Sequence, residues 1–395
     1  MVGASVDHGR SIFTANSELG TIDQNLFVTG TGIYVDQPAA DISPVNLLAL
    51  NTYTGIFATD TLDLTSKLSL TAGGRFNIAQ IDLQDQTGTN PSLTSSNRYQ
   101  RFNPVIGATY KVTPNVTAYA GYSEANRAPT PLELGCSSPT HPCMIDTFLI
   151  ADPPLQQVVS YTYEAGLRGK FDAGPNKGSL TWGLGAFRVA LSNDILNVAS
   201  TVPMFGYFQN AGKTLRQGIE AKAAYKADPW NAYANYTYVD ATYQSALTLS
   251  SPDNPFADAA GNIHVVPGDR IPAIPAHRFK AGLEYGSAET WKFGADLNVV
   301  GSQYLIHDDA NQNPKVPAYA VVNLHGSYKL TKNVEAFGLV NNLFNRHYYA
   351  AGTFLSTAGF NSNTFGAPNF FVLQDPRTFL PGMPFAAYAG LRAKF

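Results

Sequence analysis

Charged residues and long apolar runs are both scarce in this 395-residue sequence. Asp, Glu, Lys and Arg together make up 14% of the residues, against about a quarter in an ordinary soluble domain. No stretch approaches the ~18 consecutive apolar residues of a membrane-spanning helix, so a helical membrane protein is excluded. The net charge is −3, and Lys and Arg are scattered along the chain. This distribution excludes the basic patch of a nucleic-acid-binding protein.

The chain contains only two cysteines, Cys136 and Cys143, which enclose the segment Ser-Ser-Pro-Thr-His-Pro. A metal site would need a further soft ligand, and only His141 is near. We therefore predict a disulfide between Cys136 and Cys143 at the tip of a 128–155 loop, in an oxidising compartment. Two free thiols and a metal clip are the alternatives.

Residues with the spacing of catalytic or metal sites are also missing. The seven histidines form no His-x-x-x-His pair, and no Gly-x-Ser-x-Gly or phosphate-loop motif occurs. We therefore expect no enzymatic activity, no metal site and no cofactor. The segment 307–316 has the oxygen-rich composition of a weak Ca²⁺ site but lacks any defined ligand spacing, so a solvated loop is the favoured interpretation.

The sequence is rich in segments where apolar and polar side chains alternate with a period of two. In residues 161–171, Tyr161, Tyr163 and Ala165 alternate with Thr162 and Glu164. The same alternation recurs in 219–226, 319–330 and 385–395. Such segments are strands with one apolar and one polar face. Small apolar residues with Tyr or Phe near the strand ends are typical of the lipid-facing surface of a membrane barrel.

The polar face of these strands carries full charges, which a closed apolar core would not tolerate but a wet barrel lumen does. We predict lumen charges, mostly structural, at Glu164, Arg168, Glu220, Lys222, Lys329, Arg392 and Lys394. The lipid-facing set is predicted to include Ala320, Val322, Leu324, Ala387, Ala389 and Leu391.

Short and long connections alternate along the chain. The short turns lie at 113–115, 174–176, 228–230, 286–288 and 331–333, and the long excursions at 85–98, 128–155, 198–204, 245–275, 307–316 and 346–384. Outer-membrane barrels show this arrangement, with short periplasmic turns and long external loops. The sequence therefore predicts an all-β fold, an antiparallel up-and-down barrel with about 14 strands present. Residues 8–49 form either one long loop or an extra hairpin.

Several blocks between residues 50 and 395 resemble, in the same order, the C-terminal barrel of TonB-dependent receptors. The blocks are Val116–Pro129, Ser160–Arg168, Asn210–Glu220, Ile274–Arg278, Val316–Tyr319, Asn341–Tyr348 and the terminal Phe395. Asn-Asn-Leu-Phe-Asn-Arg-His-Tyr at 341–348 is the most distinctive of them. Three positions depart from the family pattern: Ala125 and Asn126 stand where the family shows Gly and an aromatic, and Ala318 replaces a Gly.

This resemblance implies a receptor of the Gram-negative outer membrane that imports a ferric siderophore or similar nutrient, powered by the TonB complex. It also implies contact with outer-membrane lipid and recognition of Phe395 by the barrel-assembly machinery. The family has about 22 strands and an N-terminal plug with a TonB-contacting box. The sequence shows no plug, TonB box or signal peptide, so we expect a truncated barrel that engages TonB only if missing sequence supplies those parts. A passive outer-membrane pore and a non-functional barrel fragment are the alternatives.

Two residues are candidates for ligand contact. Arg127 lies near the outer end of its strand, where the family shows an arginine, and a guanidinium offers two parallel donors to an anionic siderophore. A lumen charge paired with a neighbouring strand is the alternative. Tyr319 lies on the polar register at the outer end of its strand, where a rim tyrosine without a ligand is the alternative.

Overall fold

The computed structural model describes residues 1–16, 18–25, 27–34, 44–137, 155–172, 174, 178–199, 206–287, 289–355 and 375–394. Twenty-two strands account for most of these residues. In chain order they are β1 Val2–Ala15, β2 Glu18–Ile22, β3 Val28–Tyr34, β4 Val45–Asp63, β5 Leu68–Asp85, β6 Ser95–Thr113, β7 Val116–Arg127, β8 Val158–Asp172, β9 Ser179–Ser192, β10 Ile195–Ala199, β11 Gly206–Asn210, β12 Lys213–Ala227, β13 Trp230–Tyr243, β14 Leu247–Ser250, β15 Asn262–Val265, β16 His277–Ser287, β17 Trp291–Val300, β18 Tyr319–Lys329, β19 Val334–Asn341, β20 Tyr349–Phe354, β21 Arg377–Pro381 and β22 Ala386–Ala393.

Helical structure in the described ranges consists of a 3-10 turn at Pro91–Leu93 and one α-helical turn, α1, at Pro131–Leu134. No helix of the described residues is long and apolar enough to cross a membrane.

Fourteen of the strands form one antiparallel sheet in the order β1-β4-β5-β6-β7-β8-β9-β12-β13-β16-β17-β18-β19-β22. Each main strand pairs with the next main strand along the chain, as expected of a meander. One end of the sheet carries the short connections 64–67, 114–115, 173–178, 228–229, 288–290 and 330–333, and the other carries the long ones. The predicted all-β meander and its strand number are confirmed.

The long connections contain short hairpins that the sequence pattern did not reveal. They are β2–β3, β10–β11, β14–β15 and β20–β21. The segments on either side of the predicted 198–204 connection, each expected to be one strand, are interrupted, because Asn193 and Gly212 adopt positive φ values of 56° and 71° that end the extended conformation. Within residues 8–49, β1 continues to Ala15 and the β2–β3 hairpin precedes β4.

The two faces of the sheet differ in polarity as the alternation predicted. Leu324 pairs with Val340, which pairs with Ala387, so these side chains share one face. Alternation along β18 and β22 places the whole predicted lipid-facing set on this apolar face: Ala320, Val322, Leu324, Ala387, Ala389 and Leu391. Ser327 pairs with Lys292 and lies on the opposite, polar face.

At the long-loop end, the polar face is covered by an apolar cluster rather than by water alone. Leu47 of β4 and Ile81 of β5 are fully buried there. They pack with Leu93 of the 3-10 turn, Leu134 of α1 and Leu155. The predicted wet lumen wall is therefore wrong for this region, because residues of 86–94, 128–137 and 155–157 fold back over it.

The two outer edges of the main sheet lack a strand partner among the described residues. β1 pairs along its full length with β4, and β22 pairs with β19. The other side of each edge strand presents backbone N–H and C=O groups to whatever lies beside it.

Candidate functional site

The predicted lumen charges lie on the polar face in two separate groups. The first group lies on β8 and β12, a part of the sheet that we call the β8–β12 wall. Arg168 of β8 and Lys222 of β12 both pair with Gly183 of the intervening strand β9. Glu164 and Glu220 lie on the same wall by alternation. The Arg168 guanidinium lies 5.8 Å from the centre of the Tyr119 ring, within the range of a cation–π contact.

The second group lies between β18 and β22. Lys329 pairs with Glu335, and Glu335 pairs with Arg392. The Arg392 guanidinium lies 3.4 Å from the Glu335 carboxylate. Lys394 follows Arg392 on the same face by alternation, beyond the end of β22.

A charged network on β13, β16, β17 and β18 was not predicted from the sequence. His325 Nδ1 lies 3.2 Å from the Asp296 carboxylate, and its Nε2 lies 3.4 Å from the Glu284 carboxylate. Lys292 Nζ lies 3.1 Å from Glu284, and the Tyr233 hydroxyl donates to Asp296. Each ring nitrogen of His325 therefore faces a carboxylate of a neighbouring strand.

Glycine makes room for the His325 ring on the neighbouring strand. A Cβ atom at Gly294 would lie 2.3 Å from His325 Nε2, so any side chain there would displace the ring. Alternation alone marks Glu284, Asp296 and His325 as polar-face residues. Their convergence depends on the pairing of Gly294 with His325 across β17 and β18.

Arg127 is bound by a partner within its own following turn. Its Nη1 donates to Glu133 Oε2 at 2.6 Å and its Nη2 to Glu133 Oε1 at 3.0 Å. The Glu133 carboxylate also accepts from the Thr130 backbone N–H at 2.7 Å, closing a capping box at α1. The two-pronged guanidinium therefore orients the start of the 128–157 connection, and its partner comes from that connection rather than from a neighbouring strand.

Tyr319 lines a cleft of about 360 Å³ at the long-loop end of β18. Its ring centre lies 4.2 Å from that of Tyr348. The Tyr348 ring also rests on Gly382, where a Cβ would lie 2.1 Å from the ring. The remaining lining residues are Pro317, Ala318, Asn345, Arg346, His347, Tyr349, Pro381 and Pro384.

The turn that carries Arg346 and Tyr348 is built around Asn342. The Asn342 side chain accepts from Arg346 N at 2.8 Å and donates to Arg346 O and Met383 O, each at 2.9 Å. Asn342 is 3% exposed and has a φ of 49°, a left-handed conformation that asparagine tolerates well. The 341–348 block thus folds into a braced turn that presents Arg346 and Tyr348 to the cleft.

The charge of the cleft is positive. Arg346 and His347 line it, and no carboxylate of the described residues does. Arg278 and Tyr319 both pair with Val300, which brings Arg278 to the polar face beside the cleft. Neither Arg278 nor Arg346 forms an ion pair with a described residue. Aromatic rings next to such cations favour an anionic ligand with planar groups.

The loop 307–316 is not the solvated loop expected from its composition. Asp308 is fully buried, and its carboxylate accepts from the backbone N–H of Gln312 and Asn313, both at 3.0 Å, and from Asn313 Nδ2 at 2.9 Å. Asp309 accepts a 2.5 Å hydrogen bond from the Tyr243 hydroxyl, and burial raises the pKa of Asp309 to about 6. These oxygens serve the protein itself, and the described residues contain no group of three metal-binding side chains.

The same loop is joined to the 244–276 connection. Asn311 accepts from Arg270 N at 2.6 Å and donates to Arg270 O at 2.8 Å. Ser251 donates to the His307 carbonyl at 2.9 Å. We call this contact between 244–276 and 301–318 the loop junction. Three non-glycine residues with positive φ lie in or beside it: Ala273, His307 and Asn311.

Cys136 does not occupy an exposed loop tip. It is fully buried in the apolar cluster, its Sγ lies 3.4 Å from the Gly206 carbonyl, and its own carbonyl accepts from Phe208 N at 2.6 Å. Cys143 and Phe395 lie outside the described residues. The Cys136–Cys143 bridge and the assembly role of Phe395 therefore stay predictions.

Comparison with known proteins gives one family. Residues 10–343 match the family model described as TonB dependent receptor-like, beta-barrel. The metal-pseudopaline receptor CntO of Pseudomonas aeruginosa is 26% identical over 298 residues, which cover 73% of this chain and 36% of that protein. The ferripyoverdine receptor of the same species is 23% identical over 315 residues, which cover 78% of this chain and 33% of that protein.

Solved structures show the same architecture. The siderophore receptor PiuA from Acinetobacter baumannii superposes with a TM-score of 0.67 at 17% identity, over 100% of this chain and 52% of that one. The ferric-catecholate import receptor Fiu from Escherichia coli gives the same TM-score, identity and coverage. This chain spans about a third of the length of the curated relatives and about half of the length of these structures.

Proposed function

The chain belongs to the TonB-dependent receptor-like β-barrel family of the Gram-negative outer membrane, and from that premise we propose that it forms part of the ligand-binding wall of an uptake receptor. The ligand is a ferric siderophore or a similar metal chelate. Related proteins are named as receptors for metal-pseudopaline and ferripyoverdine. The family consists of receptors and transporters rather than enzymes.

The cleft at Tyr319 carries this proposal. It opens at the external end of the sheet, its rings offer flat apolar faces, and Arg346 and Arg278 have no carboxylate partner in the described residues. A metal chelate with ionised oxygen donors and flat groups fits such a surface. Arg127 contributes indirectly, because its pairing with Glu133 orients the neighbouring connection.

We further propose that additional strands complete the barrel. The free sides of β1 and β22 have no partner among the described residues. Each unpaired backbone group in the hydrocarbon region costs several kcal/mol, roughly the penalty of a lost hydrogen bond in an apolar medium. Strands from polypeptide outside this chain, together with a plug and a TonB box, would close the sheet and permit TonB-energised uptake. The barrel-assembly machinery would insert the product by recognising Phe395.

Ligand titration tests the cleft. The protein is produced in the outer membrane of a Gram-negative host, purified in mild detergent and titrated with ferripyoverdine, ferric enterobactin and metal-loaded pseudopaline. We expect at least one chelate to bind, and Tyr319→Ala and Arg346→Gln each to weaken its binding about tenfold, the range of a moderate hot spot. Tyr225→Ala is the matched control, because Tyr225 pairs with Leu180 on the apolar face at the short-turn end.

Uptake of radioactive iron separates the energised receptor from the alternatives. Cells that express this chain together with the proposed additional strands, plug and TonB box should accumulate the chelate only when TonB is present. Steady ion conductance in planar bilayers, with uptake that is independent of TonB, would instead identify a passive pore. Absence of binding for all three chelates, or unchanged binding by both cleft variants, would contradict the assignment of the cleft.

A further inference from the structure

The apolar face of the sheet ends abruptly towards the long-loop side. Across β8, β9 and β12 its last apolar row is Ala165, Ala186 and Ile219. The next row on the same face is Tyr163, Arg188 and Gln217. We call the polar positions beyond this change the outer margin.

The position of the outer margin matches the surface of a bilayer. Along β8, the apolar face extends over the nine residues from Phe171 to Tyr163, a length of about 26 Å at about 3.3 Å per step. A strand tilt of about 40° reduces this length to about 20 Å across the membrane, comparable to the ~25 Å apolar band of outer-membrane barrels. Arg188 therefore lies where lipid headgroups begin.

Carboxylates at the outer margin have hydrogen-bond or ion-pair partners within the protein. Asp82 accepts from Gln80 at 2.8 Å and from Ser96 at 2.7 Å. Two further carboxylates pair with arginines, Glu124 with Arg101 at 2.5 Å and Asp240 with Arg270 at 2.5 Å.

Cations at the outer margin are left without such partners. Arg10 of β1 lies in the same row as Asp82, because both residues pair with Leu50. Arg98 of β6 and Arg188 of β9 lie on the same face of the sheet. All three are exposed, and none forms an ion pair or hydrogen bond with a described residue. Beside Arg188 is the exposed ring of Tyr163, which contacts Tyr122 at 4.9 Å between ring centres.

We propose that Arg10, Arg98 and Arg188 bind phosphate groups of outer-leaflet lipids. An arginine side chain reaches from an apolar wall to the headgroup layer and offers paired donors to phosphate oxygens. Adjacent strands are about 4.8 Å apart, and two strands separate Arg98 from Arg188, so each arginine engages a phosphate of its own. Tyr163 supplies an aromatic surface of the kind enriched at membrane interfaces. The ligand is a phosphate-bearing lipid rather than the imported chelate.

The test compares lipid binding by two charge-matched triple variants. The protein, produced in the outer membrane and purified in mild detergent, is titrated with micelles of outer-membrane glycolipid that carries phosphate monoesters. The same glycolipid after enzymatic dephosphorylation and inorganic phosphate are the other two probes. We expect Arg10→Gln/Arg98→Gln/Arg188→Gln to weaken binding of the phosphorylated glycolipid at least tenfold. The control Lys111→Gln/Arg168→Gln/Lys222→Gln removes the same charge from the polar face and should bind as the unmodified protein does.

Conservative variants keep the test decisive if the triple variant fails to fold. Resistance to heat-induced unfolding in detergent identifies the folded variants. Arg188→Gln alone should weaken glycolipid binding a few-fold, and Arg188→Lys should retain most of it. Equal loss in the control triple variant, equal binding of the dephosphorylated glycolipid, or displacement of the lipid by low concentrations of inorganic phosphate would each overturn the proposal. These outcomes are independent of chelate binding in the Tyr319 cleft.

Discussion

Replacing Asp309 by Asn is expected to remove a pH dependence from the loop junction. Burial raises the pKa of Asp309 from its ordinary 3.8 to about 6, so the folded junction favours the neutral carboxyl. A raised pKa means that stability is greatest at acid pH and is lost as the pH rises from about 4 to above 6. This pKa change corresponds to a loss of about 3 kcal/mol in the free energy of unfolding for a fully buried carboxyl, and of about 2 kcal/mol with partial access of solvent.

The Asp309→Asn variant keeps the shape and the acceptor for the Tyr243 hydroxyl but carries no charge. At pH 7.5 its junction should be about 2 kcal/mol more stable than the unmodified one, and at pH 4.5 the two should be nearly equal. Amide hydrogen exchange of residues 267–273 and 303–313, corrected for intrinsic rates, measures this difference directly.

The neighbouring residue provides the contrast. The Asp308 carboxylate accepts from two backbone N–H groups and from Asn313. In Asp308→Asn, the new amide NH2 group would face the N–H groups that now donate to the carboxylate. The substitution should destabilise the junction by about 1–3 kcal/mol at any pH. If Asp309→Asn and the unmodified protein showed the same pH profile, the attribution of the raised pKa to burial in the junction would be refuted.

Three further outcomes follow from the same structure. Leu324→Arg, on the apolar face, should destabilise the membrane-inserted protein by about 2–4 kcal/mol, whereas Ser327→Arg on the polar face should cost little; equal losses in chemical unfolding would mean that the register is wrong. Thiol labelling of intact, unreduced cells should leave both Cys136 and Cys143 unmodified if they are bridged, and ready labelling of either would show that the bridge is absent. Asn342→Ala should release the turn that presents the cleft, weakening chelate binding several-fold and lowering the free energy of unfolding by about 1–3 kcal/mol. An unchanged affinity would argue against bracing by Asn342.

The sequence by itself determined the strands, their faces and the sidedness of their connections. Alternation such as Tyr163 against Glu164 depends only on neighbours two residues apart, because successive side chains of a strand point to opposite faces. Turn residues such as Pro114 and Pro229 interrupt that pattern locally, so the strand ends were predicted within a few residues of those observed.

Tertiary structure decided everything that depends on which residues meet across strands and loops. The His325 network exists because β17 and β18 pair with Gly294 opposite His325, and a shift of one residue would turn the ring to the other face. The burial of Cys136 and of Asp308 depends on how connections fold back onto the sheet, which their own composition does not encode. Period and turn chemistry are properties of a few adjacent residues, whereas register and loop packing are chosen by contacts between segments far apart in the chain.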